Sequence, residues 1–495
     1  MGNAVRETEG TTPARGWRRV FVEPARPVAI AHSPNAHWLV LATVCMGAFV
    51  GQLDASIVTL AFPTLQEVFH ATISEVTWVG STYLFVLVST VVAIGRFADM
   101  AGRKLLYTYG FLVFVIGSAL CGLAPSLGAL DAFRGLQAVG AAMLQANSVA
   151  IIYLAMPRGS LGRGIGIQGA AQAMGLALGP AVGGFLLAAG GWRLIFLINV
   201  PIGLVGMVAA WLFIPRSRNL QPRVPFDWLG FGLFVPAVLA LLGGLSFGIR
   251  AGWTSPVIIG LFAAAIALGV AFTAREARCT SPMVDLSLFR RIPFAAGIAS
   301  GLLSYLVMFG VLFAVPFFLE RSQHLSASQV GVQLTVMPLA LGITAPFAGR
   351  FADRFGARPL TVGGMALVAC VLGSMAFARG GSWALVGELA LIGIGLGLFT
   401  PPNNASIMAS APREQSGLAG GILNTTRGLG TAFGLALTAA VYEMAAGAGV
   451  SPADAATGFR ASAAVLACVA VAATALAGLR GGRALGLAAD PGPAR

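Results

Sequence analysis

Fourteen apolar runs, each long enough to cross a lipid bilayer as a helix, follow one another between residues 37 and 479 of this chain. A hydrocarbon core about 30 Å thick takes roughly 20 residues of helix. The runs fall at 37–62, 76–95, 105–124, 132–156, 164–189 and 194–214, then at 228–248 and 255–274, then at 293–319, 331–349, 360–378, 383–407, 417–443 and 460–479. Inside lipid the backbone has no water to bond, so runs of this length satisfy their own N–H and C=O groups as helices. The connections are too short for a soluble domain, and function must reside among the helices. The expected fold is an all-α polytopic membrane protein.

Only 10% of the 495 residues are charged and 57% are hydrophobic, whereas soluble domains carry about 25% charged residues. A surface for water cannot be built from so few charges, which excludes a soluble enzyme. No nucleotide-binding loop, zinc-ligand spacing or nucleophile triad emerges, and Cys45, Cys121, Cys279, Cys370 and Cys468 are far apart and read as packing residues. No cofactor and no metal are expected. The net charge of +13 comes from 31 basic and 18 acidic residues. A nucleic-acid partner would gather the bases on one face; here they sit in short groups between apolar runs. With the N-terminus in the cytoplasm, 24 of the 31 fall in cytoplasmic segments and five, Arg193, Arg250, Arg321, Arg379 and Arg460, in outer loops. By the positive-inside rule that asymmetry puts both termini in the cytoplasm. No signal peptide is visible ahead of span one, which is expected to direct insertion itself.

An internal repeat sets the plan. Gly95-Arg-Phe-Ala-Asp-Met-Ala-Gly-Arg-Lys104 matches Gly349-Arg-Phe-Ala-Asp-Arg-Phe-Gly-Ala-Arg358 at six of ten positions, 254 residues apart. Eight spans intervene, so both copies face the cytoplasm and the chain divides as six, two and six. The expected parts are a cytoplasmic tail at 1–36, a six-helix bundle at 37–214, a two-helix insertion with its cytoplasmic loop at 215–292, a second six-helix bundle at 293–479 and a cytoplasmic tail at 480–495. Parallel repeats around a central site are a transporter architecture.

Charges inside the apolar runs mark the candidate sites. Asp54 lies well within span one, where a carboxylate costs about 2.5–3.5 kcal/mol on insertion scales and so requires a partner, a proton or water. Two readings follow: a proton-exchanging group, or a fixed ion pair that holds helices together. Arg134 in span four offers a permanent cation, or else snorkels to the nearby outer interface. Gln137 and Gly140 share its helix face, where the small residue permits close approach to span one. Glu388 lies near the outer end of span twelve, within reach of headgroups or of a cavity. Asn424 and Arg427, in Leu423-Asn-Thr-Thr-Arg-Gly-Leu-Gly430, face a cavity or a lipid phosphate. His70 and His324 fall in outer loops and read as solvated. In the repeated segment, Asp99 and Asp353 can meet the positive end of a neighbouring helix, Gly95 and Gly102 allow tight turns, and Arg103, with Arg354 or Arg358 in the second copy, supplies a pairing cation. The arginines alone would serve topology; the aspartates are unnecessary for that.

Five segments together resemble the fourteen-span drug:proton antiporters of the major facilitator superfamily. They are Leu53-Asp-Ala-Ser-Ile-Val-Thr-Leu-Ala-Phe-Pro63, the 95–104 segment, Arg134-Gly-Leu-Gln-Ala-Val-Gly140, Gly175-Leu-Ala-Leu-Gly-Pro-Ala-Val-Gly-Gly184, and Gly191-Trp-Arg-Leu-Ile-Phe-Leu-Ile-Asn-Val-Pro-Ile-Gly203 with Phe226-Asp-Trp-Leu-Gly230. Ser56 and Thr59 depart from the Thr and Asn of the family's first motif, which alters hydrogen bonding beside the acid. The resemblance implies the major facilitator fold with 14 transmembrane helices arranged as 6 + 2 + 6. It further implies coupling through Arg134, latches at the two repeated segments that favour the state closed to the cytoplasm, and antiport through the motif containing Gly175, Gly179, Pro180, Gly183 and Gly184.

The resulting expectation is a monomeric, proton-coupled antiporter in a bacterial cytoplasmic membrane. It would export lipophilic or amphipathic drugs and antibiotics by alternating access between two bundles, with protons and the small-molecule substrate as its partners besides the bilayer. A dedicated exporter of one natural product or siderophore remains open, and a symporter is disfavoured by the span-five motif.

Overall fold

The computed structural model describes residues 23, 26–31, 33–217, 225–325, 327–377, 382–446 and 451–479. Most of the two tails, including Arg6, Arg15, Arg18 and Arg19, and the outer-loop Arg379 lie outside the described residues. Within them the chain is all helical. The helices are α1 Ala36–Ile57, α2 Ile73–Ala101, α3 Arg103–Gly122, α4 Leu127–Ala155, α5 Leu161–Gly190, and α6 in two pieces, Trp192–Leu197 and Asn199–Phe213. Then follow α7 Trp228–Ala251, α8 Pro256–Glu276, α9 Ile292–Arg321, α10 Ala327–Phe355, α11 Ala357–Phe377, α12 Ser382–Ser410, α13 Ser416–Ala446 and α14 Pro452–Gly478. Thirteen spans are long and apolar enough to cross a membrane among the described residues, and α5 makes fourteen as a bent pair, Leu161–Gly179 and Val182–Gly190, turned by 44°. Pro180 falls at that break, where a residue without an N–H cannot continue the helical ladder. Apolar faces stay uncovered, as lipid requires: in α8 the span has mean hydropathy 2.5 and only 17% of it is buried.

Several helices run beyond their apolar cores. The segment 95–104 is not a loop: α2 continues through Asp99 to Ala101, and only Gly102, at φ +118°, breaks it from α3. The second copy breaks in the same place, at Gly356 with φ +87°. Hydropathy stops where charge begins, whereas the helical hydrogen-bond ladder continues into the polar zone, and a left-handed backbone that a side chain would strain ends it. The 254-residue repeat also carries His70 onto His324, and both cap their turns at positive φ, 49° and 54°.

Contacts divide the chain into two compact units. One comprises Met1–Ala155, Ala171–Leu286 and Pro412–Leu429, and the other Met156–Ala170, Ser287–Ala411 and Gly430–Arg495. In the first, α3 and α4 pack backbone to backbone because glycines line the seam. A Cβ on Gly117 would lie 2.6 Å from Gln137 Cα, and one on Gly140 would strike the Phe114 backbone. Gly140 therefore admits α3 and not span one. The insertion, α7 and α8, belongs to the same unit, and Phe247 of α7 packs on Trp78 of α2 with ring centroids 5.0 Å apart. In the second unit, α9 to α12 and α14 share a core that includes Val315, Met337, Leu389, Phe399 and Leu466.

Candidate functional site

Asp54 is wholly buried in the first unit, on α1. Its Oδ2 accepts a hydrogen bond from Arg134 Nη1 at 2.7 Å, and its Oδ1 accepts from Gln137 Nε2 at 2.9 Å and Asn199 Nδ2 at 2.7 Å. Arg134 is 1% exposed. Its Nη1 also donates to Gln137 Oε1 at 2.6 Å, its Nε donates to the Val79 carbonyl at 3.1 Å, and its guanidinium lies 4.1 Å from the centroid of the Tyr83 ring. Gln137 Nε2 further donates to Ser118 Oγ at 2.6 Å. One carboxylate and one guanidinium thus share a buried network drawn from α1, α2, α3, α4 and α6. Arg134 does not snorkel: α4 starts at Leu127, earlier than hydropathy indicates, which sets Arg134 two turns inside.

The local folding explains the convergence. The glycine seam brings Ser118 to Gln137, the i, i+3 spacing brings Gln137 to Arg134, and the break of α6 at Ile198 presents Asn199 at the start of its second piece. The ring of Phe196, one turn earlier, also lies near the guanidinium, its centroid 5.7 Å away. Asn199, Ser118 and Tyr83 escaped the sequence reading as site residues. Their signal was slight, a neutral polar group inside an apolar run. Ser56 does not adjoin the acid; its hydroxyl donates to Leu53 O at 3.0 Å and to Gly175 O of α5 at 3.4 Å. The side chain of Thr59 lies outside the described residues.

This arrangement couples charge to geometry. Asp54 is the one anion paired with Arg134 among the described residues, so a proton on Asp54 would leave a buried guanidinium uncompensated, at a cost of about 3–5 kcal/mol.

The repeated segments form two helix caps. Asp99, wholly buried, accepts from the N–H groups of Gly417 at 2.7 Å and Leu418 at 2.8 Å, the first turn of α13. Arg103 Nη2 pairs with Asp99 Oδ1 at 2.7 Å and donates to the carbonyls of Arg413 and Glu414 at 3.1 and 3.0 Å. Gly95 lets the two helices touch, since a Cβ there would strike Gly417 O. In the other unit Asp353 accepts from Gly162 N–H at 2.7 Å and Arg163 N–H at 2.9 Å, the first turn of α5. Arg103 has no counterpart there, because Ala357 stands at its place in the repeat. Neither Arg358 nor Arg354 forms an ion pair with Asp353 among the described residues; Arg354 lies over the Phe355 ring. Pairing by nearest charge misassigned this contact, and repeat register corrects it.

Gly175, Gly179 and Gly183 bring α5 against α1: added Cβ atoms would meet Phe49 O, Ser56 Oγ and the Ile57 and Leu60 side chains. Gly184 faces open space, and the side chain of Pro180 lies outside the described residues. Glu388 is half-buried on α12 and accepts from Ser374 Oγ at 3.2 Å; the 254-residue offset makes it the repeat counterpart of Arg134. Asn424 Nδ2 donates to Gln145 O at 2.9 Å, and Arg427 is buried; neither is bound to Asp54. Cys370 and Cys468 are exposed, which corrects their reading as packing residues. Two further caps were not anticipated. Glu23 accepts from Leu105 N–H at 3.1 Å and Ser217 Oγ at 2.8 Å at the start of α3. Asp227 accepts from Gly230 N–H at 3.0 Å and Arg275 Nη2 at 3.3 Å at the start of α7. Burial pushes the Asp227 carboxyl up, but hydrogen bonds from Gly230, Arg275 and Cys279 together with the Arg275 charge outweigh it and hold the group below the usual carboxylate range.

Membrane-spanning helices gathered around a buried ion pair define a polytopic membrane transporter. Residues 44–275 and 297–486 match the Major Facilitator Superfamily. The riboflavin transporter RibZ of Clostridioides difficile is 34% identical over 407 residues, 82% of this chain and 88% of that protein. The multidrug resistance protein Stp of Mycobacterium tuberculosis is 32% identical over 407 residues, 81% of this chain and 75% of its own. The crystal structure of the human organic anion transporter MFSD10 shares the fold, with a TM-score of 0.63 at 15% identity over 90% of this chain and 100% of that one. The chain belongs to the major facilitator superfamily; it is a multi-pass membrane transporter and not an enzyme.

Proposed function

We propose that the protein is a proton-coupled antiporter that exports lipophilic or amphipathic small molecules by alternating access, with Asp54 and Arg134 as its coupling pair. The observation that carries this reading is the wholly buried Asp54 carboxylate inside span one, paired at 2.7 Å with the equally buried Arg134. An incoming proton displaces Arg134 from Asp54, and the freed guanidinium rearranges the α1, α4 and α6 contacts that the network ties together. An inward-moving charge brings about 2.3 kcal/mol per 100 mV of membrane potential. Asp99 on α13 and Asp353 on α5 act as latches: each caps a helix N-terminus, and each cap must open for the cytoplasmic side to open. In this reading both termini are cytoplasmic, the membrane is the bacterial cytoplasmic membrane, and the working unit is a monomer.

The family relationship to a multidrug resistance protein supports broad drug export. The relationship to a riboflavin transporter favours a second reading, a carrier dedicated to one compound. Purified protein in liposomes with an acidic lumen, given ethidium outside, tests the antiport. Accumulation that collapses when the pH gradient is dissipated supports it. Accumulation that requires the opposite gradient identifies a symporter, and indifference to the gradient overturns proton coupling.

A further inference from the structure

Asp131 stands on α4 one turn before Arg134, on the side of α4 that leads to the Leu127 end. Residues three apart on a helix are neighbours on one face, with Cβ atoms about 5–6 Å apart. Asp131 is half-buried, and its Oδ1 is buried without a hydrogen-bond partner among the described residues. Among the described residues, Asp54 of α1 and Tyr83 of α2 also face Arg134, and Arg193 stands on α6. Arg193 is engaged with the Ala124 carbonyl at 3.4 Å and the Trp192 ring. A buried carboxylate oxygen with no donor is costly, and nothing in the Asp54 network uses it.

We infer that Asp131 is a positioning residue of the coupling site, which takes the Arg134 guanidinium when a proton neutralises Asp54. The inference rests on the antiport reading above. Arginine stays charged throughout, so an Arg134 displaced from Asp54 needs a second anion within its reach. A helix turn rises about 5.4 Å, a displacement that the long arginine side chain covers by changing rotamer. The proton is accounted for at one atom: it binds an oxygen of Asp54, the Arg134–Asp54 hydrogen bond breaks, and an Arg134–Asp131 hydrogen bond forms. Two carboxylates and one guanidinium carry a net single negative charge before the step and none after it. The deprotonated site therefore favours a cation, and a proton competes with that cation without touching it.

Asp131→Asn and Asp131→Glu, reconstituted in liposomes with an acidic lumen, test this with ethidium as the probe. Asp131→Asn should lose at least tenfold in gradient-driven ethidium accumulation while still binding ethidium in detergent, with the pH midpoint of binding displaced from the wild-type value. Asp131→Glu should restore accumulation. Accumulation by Asp131→Asn equal to wild type, with an unmoved midpoint, overturns the inference alone; absence of gradient-driven accumulation by the wild type overturns the antiport reading and the inference with it. Should Asp131→Asn fail to fold, Asp131→Glu decides: a displaced midpoint with retained coupling supports the role, and a wild-type midpoint overturns it.

Discussion

Replacing Asp99 with Asn should open the first latch. The carboxylate accepts two N–H groups from the first turn of α13 and pairs with Arg103, which is itself 2% exposed. Asn keeps one acceptor oxygen, turns an NH2 toward donors, and leaves Arg103 without its anion. Removing one partner of a buried pair costs about 3–5 kcal/mol. The lower figure applies here, because Arg103 keeps its bonds to the Arg413 and Glu414 carbonyls. About 3 kcal/mol shifts a two-state population roughly a hundredfold, at 1.4 kcal/mol per decade. Spin labels at Phe97 on α2 and at Glu414 ahead of α13, both exposed, report the change as loss of the short-distance population in pulsed-dipolar spectra. Ethidium binding should stay near normal while transport slows. An unchanged distance distribution in a folded Asp99→Asn protein would refute the latch.

Asp353→Asn should act more weakly, because no cation pairs with Asp353 among the described residues and only the cap on Gly162 and Arg163 is lost; a helix-terminus charge is worth at most about 2 kcal/mol, so transport slows by roughly thirtyfold or less, measured side by side with Asp99→Asn. Asn199→Ala removes one of the two donors to Asp54 Oδ1; hydrogen bonds to a charged group are worth about 1.5–3 kcal/mol, and gradient-driven accumulation should fall at least about tenfold with little change in the amount of folded protein. Asp227 contributes stability through a depressed folded-state pKa, so that contribution is present above the ordinary carboxylate value near 4 and is lost as pH falls through the folded value. Asp227→Asn should therefore melt below wild type in detergent at pH 7, with the gap closing as both are acidified.

The fourteen spans and the repeat were legible because each rests on a redundant signal: twenty apolar residues in one case, six matched positions in the other. Asp54 and Arg134 were legible for the opposite reason, as lone charges where lipid penalises them. Asn199 and Ser118 were not, since a neutral amide or hydroxyl in an apolar helix signals only after its facing is known, and facing depends on the Gly117 and Gly140 seam and on the break at Ile198. Asp131 was passed over because hydropathy begins span four at 132, one residue too late, whereas α4 begins at Leu127. The misassigned Arg358 shows the same limit: composition supplies a nearby charge, but only register tells that Ala357 occupies the place of Arg103. Glu23 sits in the N-terminal tail and Asp227 in a connection, where periodicity carries no information, and their caps depend on distant partners such as Ser217 and Arg275.

The proposed antiport requires Asp54 to exchange a proton against substrate. Its most direct measurement is the number of protons released when ethidium is added to the detergent-solubilised protein in weakly buffered solution, for the wild type and for Asp54→Asn. The amide keeps the shape of the side chain and removes its titration. Proton release by the wild type and none by an Asp54→Asn protein that still binds ethidium is the predicted result; equal release by both would contradict it.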